Sequence, residues 1–290
     1  MICRHYTENQ RINVADLNEI TVLVDRSQTT LTEVGWNKWR PGLDGPPHSH
    51  DRKEQIFYVT AGHGTVVVGG ERFSVKPGDL VYVPPCVVHQ TITQRGEPLC
   101  YFLFNAFLGA DKEGHASFAD HIDKVKNVRK KQAESGSADA DGTPRNGPGK
   151  PGRHIGDIRK GKVFDFGSNT TIPLLQRSDT NRAEVTLVTW PKGNKGAMVA
   201  HKEKEQTFFV LSGVGKITIA DATEQVGPGD VVYVPWNSPH TTEATESDLT
   251  YLVFNTYVIE TKDCSFEEMY QRVAPQRLER WKTGSAAVGE

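Results

Sequence analysis

Residues 48–54 read His-Ser-His-Asp-Arg-Lys-Glu, and this short stretch decides how the rest of the chain is interpreted. His48 and His50 are separated by one residue, so on a β-strand both imidazole rings project from the same face. Glu54 has the same parity, but on a straight strand it lies roughly 13 Å beyond His50, too far to share a metal ion at bonds of about 2.1 Å. The chain is therefore expected to bend between His50 and Glu54.

The same stretch occurs again in the second half of the chain. Residues 50–55 (His-Asp-Arg-Lys-Glu-Gln) return as residues 201–206 (His-Lys-Glu-Lys-Glu-Gln), an offset of 151 positions. At the same offset, residues 77–84 (Pro-Gly-Asp-Leu-Val-Tyr-Val-Pro) return as residues 228–235 (Pro-Gly-Asp-Val-Val-Tyr-Val-Pro). A repeat of this length indicates two related structural units.

Each unit has the pattern of short β-strands. Residues 55–60, 64–68 and 80–83 of the first half are β-branched or aromatic runs bounded by glycine or proline. Many short strands with frequent turns predict an antiparallel, all-β barrel or sandwich. A helical pattern follows each barrel-sized unit, beginning at Ser117 in the first half and at Ser265, with its Ser-x-x-Glu capping pattern, in the second.

The domain organisation follows from the repeat and from a change in composition. We expect a first barrel over residues 1–110, a helix and linker over 111–160, a second barrel over 161–260 and a helical tail over 261–290. Within the connecting segment, residues 133–153 are rich in Gly, Pro, Ser and Asp and contain no large apolar residue. That composition is typical of a flexible linker.

At this point two motifs resemble those of the cupin superfamily. The first is His-x-His-x3-Glu at residues 48–54, followed by Gly62, and the second is Gly-x5-Pro-x4-His at residues 78–89. The resemblance extends over roughly residues 20–107 and 171–258. It implies a tandem pair of cupin β-barrels, each a double-stranded β-helix or jelly roll, with flanking helices.

The resemblance also implies a metal site in the first half. Its four ligands are expected to be His48, His50, Glu54 and His89. Three neutral imidazoles and one carboxylate suit Fe(II) or Mn(II) first, and also Zn(II), Ni(II) or Co(II). In octahedral coordination two positions stay open for a substrate, water or dioxygen.

The second half differs at one of these positions, because Val199 stands where the first half has His48. His201, Glu205 and His240 remain as candidate ligands. Two interpretations stay open. Either this two-histidine, one-carboxylate set still binds a metal, or the site has been lost and the barrel serves packing or assembly.

Tyr58 is the sequence candidate for a catalytic side chain inside the first barrel. Counting by twos from Glu54 places Ile56 and Tyr58 on the interior face, where the tyrosine hydroxyl is available for proton transfer or a substrate hydrogen bond. The alternative is a core aromatic residue, since the counterpart of Tyr58 in the repeat is Phe209.

Charge and composition narrow the function classes. Lys and Arg total 34 against 36 Asp and Glu, and no segment concentrates basic residues, so nucleic acid is not an expected partner. No apolar run reaches the roughly 20 residues of a membrane-spanning helix, and the polar first residues do not resemble a secretory signal. We therefore expect a cytoplasmic protein with a small-molecule substrate and no membrane partner, and association into a homo-oligomer stays open.

Three functions are consistent with these features. The first is a metal-dependent oxygenase or carbon–carbon-cleaving, decarboxylating enzyme that acts on a small organic acid in the first barrel, because the ligand set resembles that of cupin oxygenases and oxalate enzymes. The second is an isomerase or epimerase of a sugar-derived substrate that uses the metal as a Lewis acid. The third is a non-catalytic small-molecule-binding or storage protein, since a fold alone does not fix activity.

Overall fold

The computed structural model describes residues 1–135, 150–259 and 265–283. The chain divides into two compact units, of which the first barrel is Thr7–Ile158 and the second barrel is Met1–Tyr6 together with Arg159–Glu290. Each unit contains a seven-stranded sheet and a three-stranded sheet. The predicted all-β fold of tandem jelly-roll barrels with flanking helices is thus confirmed.

The secondary-structure elements alternate short strands with tight turns. The first ten strands are β1 (Ile2–His5), β2 (Arg11–Val14), β3 (Asn18–Val24), β4 (Thr32–Trp39), β5 (Lys53–Ala61), β6 (Gly64–Val68), β7 (Glu71–Val75), β8 (Leu80–Val83), β9 (His89–Thr93) and β10 (Leu99–Phe107). Helix α1 (Phe118–Ser135) follows, and two single turns of 3-10 helix lie at Arg26–Gln28 and Lys112–Gly114.

The remaining strands repeat the same order. They are β11 (Arg153–Ile155), β12 (Phe164–Asp165), β13 (Thr170–Leu175), β14 (Ala183–Trp190), β15 (Lys204–Ser212), β16 (Gly215–Ile219), β17 (Ala222–Val226), β18 (Asp230–Val234), β19 (His240–Ala244) and β20 (Leu249–Tyr257), and helix α2 (Phe266–Thr283) follows them. No helix in the described residues is both long and apolar enough to cross a membrane.

The first barrel closes around an apolar core between its two sheets. The large sheet has the order β11-β8-β5-β10-β4-β3-β2 and the small sheet the order β7-β6-β9. Phe57 and Val59 of β5 and Leu103 of β10 pack against Val66 and Val68 of β6 in one buried cluster. Every second residue of these strands therefore points inward, as the alternation of a half-buried strand requires.

The second barrel has the same architecture. Its sheets have the orders β1-β18-β15-β20-β14-β13-β12 and β17-β16-β19. Phe208 and Val210 of β15 and Val253 of β20 pack against Ile217 and Ile219 of β16. These residues are the counterparts of the first-barrel cluster, so the repeat preserves the core position by position.

Both predicted helices begin where the sequence indicates. The hydroxyl oxygen of Ser117 accepts a hydrogen bond from the Asp120 amide at 3.1 Å. Ser265 accepts from the Glu268 amide at 3.2 Å, and the Glu268 carboxylate accepts from the Ser265 amide at 2.9 Å, which completes a capping box. Each helix then packs an apolar stripe beginning with a phenylalanine, Phe118 or Phe266, onto its own barrel.

Two short strands depart from the expected domain bounds. Strand β1 pairs antiparallel with β18, so residues 1–6 belong to the second barrel although the sequence suggests residues 1–110 as one unit. Strand β11 pairs with β8 of the first barrel, where Nε2 of His154 lies 2.9 Å from the Asp79 carboxylate. Most of the expected linker, residues 136–149, lies outside the described residues, as do residue 260 and residues 261–264 and 284–290 of the expected tail.

Candidate metal centre

Three histidines converge at one end of the first barrel. His48 and His89 face each other across an isolated antiparallel bridge, with backbone hydrogen bonds of 3.0 and 2.8 Å between them. His50 follows on the same segment, and its carbonyl oxygen accepts from the Cys86 amide at 2.8 Å. The candidate ligating atoms of His48, His50 and His89 all lie within 4.8 Å of one another. The structure thus brings together all three histidines of the predicted site.

Backbone carbonyl groups orient two of these rings. Nδ1 of His48 lies 2.9 Å from the Pro46 carbonyl oxygen, and Nδ1 of His89 lies 3.3 Å from that of Val87. A carbonyl acceptor holds the proton on Nδ1 and so leaves Nε2 as the metal-binding nitrogen. This arrangement is typical of imidazoles prepared for a metal ion.

A carboxylate takes the corresponding position beside the third ring. Oε1 of Glu113 lies 3.7 Å from Nδ1 of His50, and its Oε2 accepts a 3.0 Å bond from the Lys53 ammonium. The Lys53 side chain is 2% exposed, and this burial lowers its pKa although Glu113 and Glu33 oppose the shift. Glu113 itself has a φ of 62°, a left-handed conformation that costs roughly 1–3 kcal/mol in a residue other than glycine. No motif in the sequence points to Glu113, because it lies in a polar segment beyond the barrel strands.

Glu54 does not join this cluster, which corrects the predicted ligand set. Its side chain is fully buried, and Oε2 accepts a 2.8 Å hydrogen bond from the Tyr82 hydroxyl. Gln55 and Phe57, its neighbours on β5, line the cavity with the histidines, whereas Glu54 lies on the opposite face of the strand. The predicted bend between His50 and Glu54 is present. After the bend, the odd-numbered residues of β5 face the cavity and the even-numbered ones, Glu54 among them, face away from it.

Gln55 takes the place that the sequence assigned to Glu54. Its Nε2 donates a 2.8 Å hydrogen bond to the Asn105 side chain, while its Oε1 is buried and accepts no hydrogen bond from the described residues. An unsatisfied buried carbonyl oxygen is costly unless a missing partner completes it. The repeat carried a signal for this residue, because Gln206 occupies the same position in the second half.

Tyr58 is likewise on the outer face of β5, and it does not line the cavity. It is displaced by the same parity change as Glu54, so the proposed catalytic tyrosine is not an interior residue. The interior tyrosine is Tyr101, whose hydroxyl accepts hydrogen bonds from Nε1 of Trp39 at 2.7 Å and Nδ2 of Asn37 at 3.1 Å. These donors fix Tyr101 as part of the cavity wall.

The cavity beside the histidines is small, about 60 Å³. That is the volume of about two water molecules in the liquid. Three imidazoles and a buried amide oxygen bordering it are nitrogen and oxygen donors that suit a divalent transition metal. The residues present therefore fit a metal ion with room for a ligand of few atoms.

The second barrel does not assemble its predicted set. Val199 bridges His240 as His48 bridges His89, so an isopropyl group replaces one imidazole. Glu205 is buried and accepts a hydrogen bond from the Tyr233 hydroxyl, as Glu54 does from Tyr82. Among the described residues, only the first barrel has three His, Cys, Asp or Glu side chains with ligating atoms within 4.8 Å.

The two histidines of this predicted set are neutral imidazoles. Burial lowers the pKa of His201 well below its usual value and that of His240 to about 4, and the nearby Lys204 and Arg277 lower both further. They border a much larger cavity of about 880 Å³. The two barrels therefore differ in both their polar groups and their internal space.

Comparison with known proteins agrees with this architecture. A cupin domain model matches residues 36–104 and 186–255. Among curated proteins, uncharacterized protein MJ1618 of Methanocaldococcus jannaschii is 40% identical over 52 residues, which cover 18% of this chain and 42% of that protein. The alignment thus spans less than half the length of that relative.

Solved structures match over nearly the whole chain. A variant of Bacillus subtilis oxalate decarboxylase OxdC has a TM-score of 0.62 at 16% identity, covering 93% of this chain and 80% of that one. The formate complex of Lactobacillus farciminis oxalate decarboxylase has a TM-score of 0.62 at 15% identity, covering 98% and 95%. At such identities the similarity concerns the fold. Because both halves match the cupin domain and both units fold as jelly-roll barrels, the chain is a two-domain member of the cupin superfamily.

Proposed function

We propose that this protein is a metal-dependent enzyme that cleaves a carbon–carbon bond of a small organic acid in the first barrel, with decarboxylation as the reaction. The observation that carries the proposal is the convergence of His48, His50 and His89 beside the unsatisfied amide oxygen of Gln55. The two solved structures compared above, which align over most of the chain, are oxalate decarboxylases, enzymes of this class.

The ligand set in this proposal is His48, His50, His89 and Oε1 of Gln55. Manganese is the proposed ion, because a carbonyl oxygen suits Mn(II) and a structure of the Bacillus subtilis enzyme is described by its Mn(II) centres. The bound ion would act as a Lewis acid that polarises the substrate carboxylate and, where it is redox-active, would exchange electrons with dioxygen.

The amide donor changes the charge of the centre. Three neutral imidazoles and a neutral amide leave the full double positive charge of a divalent ion in the site, whereas a glutamate would reduce it by one. An acid anion is therefore attracted more strongly than by a histidine–glutamate site. Glu113 is a positioning residue in this scheme, because its carboxylate lies against Nδ1 of His50.

The volume of the cavity separates this reaction from the sugar isomerase alternative. A cavity of about 60 Å³ favours a molecule with few atoms beyond the carboxylate over one the size of a sugar ring. The isomerase is therefore the second candidate.

The test combines metal analysis with product analysis. The full chain is purified without added metal, its metal content is measured, and ¹³C-labelled oxalate and three-carbon and four-carbon oxo and dicarboxylic acids are assayed for labelled carbon dioxide with and without oxygen. Bound manganese with release of carbon dioxide supports the proposal. Protein that takes up no divalent metal, or metal-loaded protein that releases no carbon dioxide from any of these acids, refutes it.

A further inference from the structure

The second barrel encloses the larger of the two cavities described above. Its volume of about 880 Å³ is more than ten times that of the first-barrel cavity. Pockets of 300–1,000 Å³ are the usual size for small-molecule ligands. The barrel that lacks the third histidine is therefore the one with room for a ligand of substantial size.

Positive charge dominates the lining of this cavity. Five cationic side chains border it against two carboxylates, and the cations are Arg177, Lys204, Arg272, Arg277 and Arg280. One of the carboxylates, Glu184, already accepts a 2.8 Å hydrogen bond from the Asn255 side chain. The cavity thus has an excess of positive charge, which favours an anionic occupant.

The first barrel provides an internal comparison, because it has counterparts of two of these cations. There, Arg26 donates to Glu33 at 3.0 Å, and Lys53 donates to Glu113 at 3.0 Å, so both charges are neutralised inside the barrel. In the second barrel no described carboxylate forms an ion pair with Lys204, which instead lies 5.5 Å from the centre of the Tyr257 ring. The same basic residue is therefore left without a carboxylate partner and borders the large cavity.

Helix α2 supplies the other cations. Arg272, Arg277 and Arg280 border the cavity from one side of this helix, and the guanidinium of Arg277 lies 4.9 Å from the centre of the Phe166 ring. In the first barrel the corresponding helix contributes Phe118 and Ile122, with a single histidine, to its small cavity. In the second barrel α2 likewise contributes apolar residues to the cavity, Phe266, Met269 and Val273, and adds the three arginines.

The remaining wall mixes apolar and polar side chains, and one of the polar ones, Gln206, has an unsatisfied atom. Trp190, Phe208 and Val253 line the cavity, as does Gln206, which is 8% exposed. Oε1 of Gln206 is buried and accepts no hydrogen bond from the described residues, although its Nε2 donates to Asn255 at 2.8 Å. A ligand for this cavity therefore has an anionic group, an apolar or aromatic body and a hydrogen-bond donor for Gln206.

We propose that the second barrel is a binding compartment for an organic anion, in which a carboxylate or phosphate group on an aromatic or apolar body is held by Lys204 and the arginines of α2. This site is distinct from the metal centre proposed in the first barrel and does not depend on it. The anion engages charged donors, and hydrogen bonds to charged groups are roughly twice as strong as those between neutral groups.

The test is equilibrium binding by isothermal titration calorimetry on the full chain. Three naphthyl probes share one apolar body: naphthylacetate, naphthyl phosphate and the neutral naphthylacetamide. We expect at least one anion to bind roughly tenfold or more tightly than the amide, since the amide cannot form a charge-assisted hydrogen bond with the cations. The preferred anion distinguishes a carboxylate from a phosphate ligand.

Two variants test the assignment of the cations. Arg277→Leu and Lys204→Met are each expected to weaken anion binding roughly tenfold and leave amide binding unchanged. Lys282→Met is the matched control, since Lys282 is an exposed cation on the same helix that does not border the cavity. Near-ultraviolet circular dichroism checks folding, and Lys204→Met still decides the matter if Arg277→Leu does not fold.

The proposal is overturned if neither anion binds, if the amide binds as tightly as the anions, or if Lys282→Met weakens binding as much as Lys204→Met. These outcomes are independent of metal content. A chain that binds the anions but no metal supports this inference and refutes the function proposed for the first barrel, and the reverse result does the opposite.

Discussion

The Tyr82 hydroxyl donates a 2.8 Å hydrogen bond to Oε2 of Glu54 on the outer face of β5. This bond satisfies the buried carboxylate on the side of the strand away from the three histidines. The next residue, Gln55, is therefore the one that borders the metal centre.

The two neighbouring residues are expected to respond differently to substitution. Gln55→Leu removes the proposed fourth donor. We expect metal affinity to fall at least tenfold, because losing even a group that only supports a ligand lowers metal affinity roughly tenfold to a hundredfold. Glu54→Gln keeps an acceptor for Tyr82 and should retain full metal content. Competitive titration with a chelator measures both affinities. A loss of metal in Glu54→Gln with none in Gln55→Leu would reverse the assignment.

Val199→His is expected to give the second barrel a third imidazole. Val199 bridges His240 as His48 bridges His89, so the new ring enters beside His201 and His240. The metal content should rise by one ion per chain, measured by inductively coupled plasma mass spectrometry. Val199→Leu is the control of similar size without a donor. An unchanged stoichiometry in Val199→His would show that the second barrel cannot place three imidazoles around one ion.

Glu113→Ala should destabilise the first barrel. The buried ammonium of Lys53 would lose its ion pair with Glu113, which should lower the free energy of unfolding by about 3 kcal/mol. Adding Lys53→Met to this variant should restore most of the loss, because the methionine has no charge to solvate. Urea denaturation of the metal-free protein measures the four members of this cycle. Additive effects of the two substitutions would contradict the coupling.

Gly62→Ala tests the turn after β5. Gly62 has a φ of +77°, and a Cβ added there would lie 2.0 Å from the Pro98 carbonyl oxygen. The combined backbone and contact cost is expected to be roughly 2–5 kcal/mol. Gly70→Ala is the matched control, since its φ is +90° but its Cβ would meet nothing within 4 Å. Equal losses of stability in denaturant titrations would show that backbone conformation alone accounts for the effect.

Cys3 reports on the pairing of β1 with β18. Burial, with smaller contributions from Asp230 and Glu224, raises the pKa of its thiol from 9.0 to about 11. At pH 8 its thiolate fraction, and so its alkylation rate, should be about a hundredfold lower than in urea-unfolded chain. Since the folded pKa is the higher one, ionisation of this thiol opposes folding. The free energy of unfolding is therefore at its full value below pH 9 and falls as pH rises from 9 towards 11. Iodoacetamide labelling followed by peptide mass spectrometry gives the rate, and equal rates in folded and unfolded chain would contradict the pairing.

The fold follows from local sequence patterns, whereas several site residues do not. Repeated strands and the capping box at Ser265 are short-range signals, and they predict the barrels and helices correctly. Face assignment in β5 fails because parity cannot be carried across a bend of unknown length, so the sequence pattern puts Glu54 and Tyr58 on the interior face. Pairing of β1 with β18 joins residues more than 200 positions apart, and no local pattern indicates it. The size of the second cavity depends on how α2 packs, which its own sequence does not determine.

The placement of β1 and β11 affects how the two halves can be separated for expression. A fragment ending at residue 110 would carry an N-terminal strand whose partner is missing, and it would expose the edge of β8 that β11 covers. Open strand edges of this kind pair with other chains and promote aggregation. A soluble first half therefore needs residues 7–158, and a soluble second half needs residues 1–6 attached by a linker, since a cut in the middle of the chain leaves neither sheet complete.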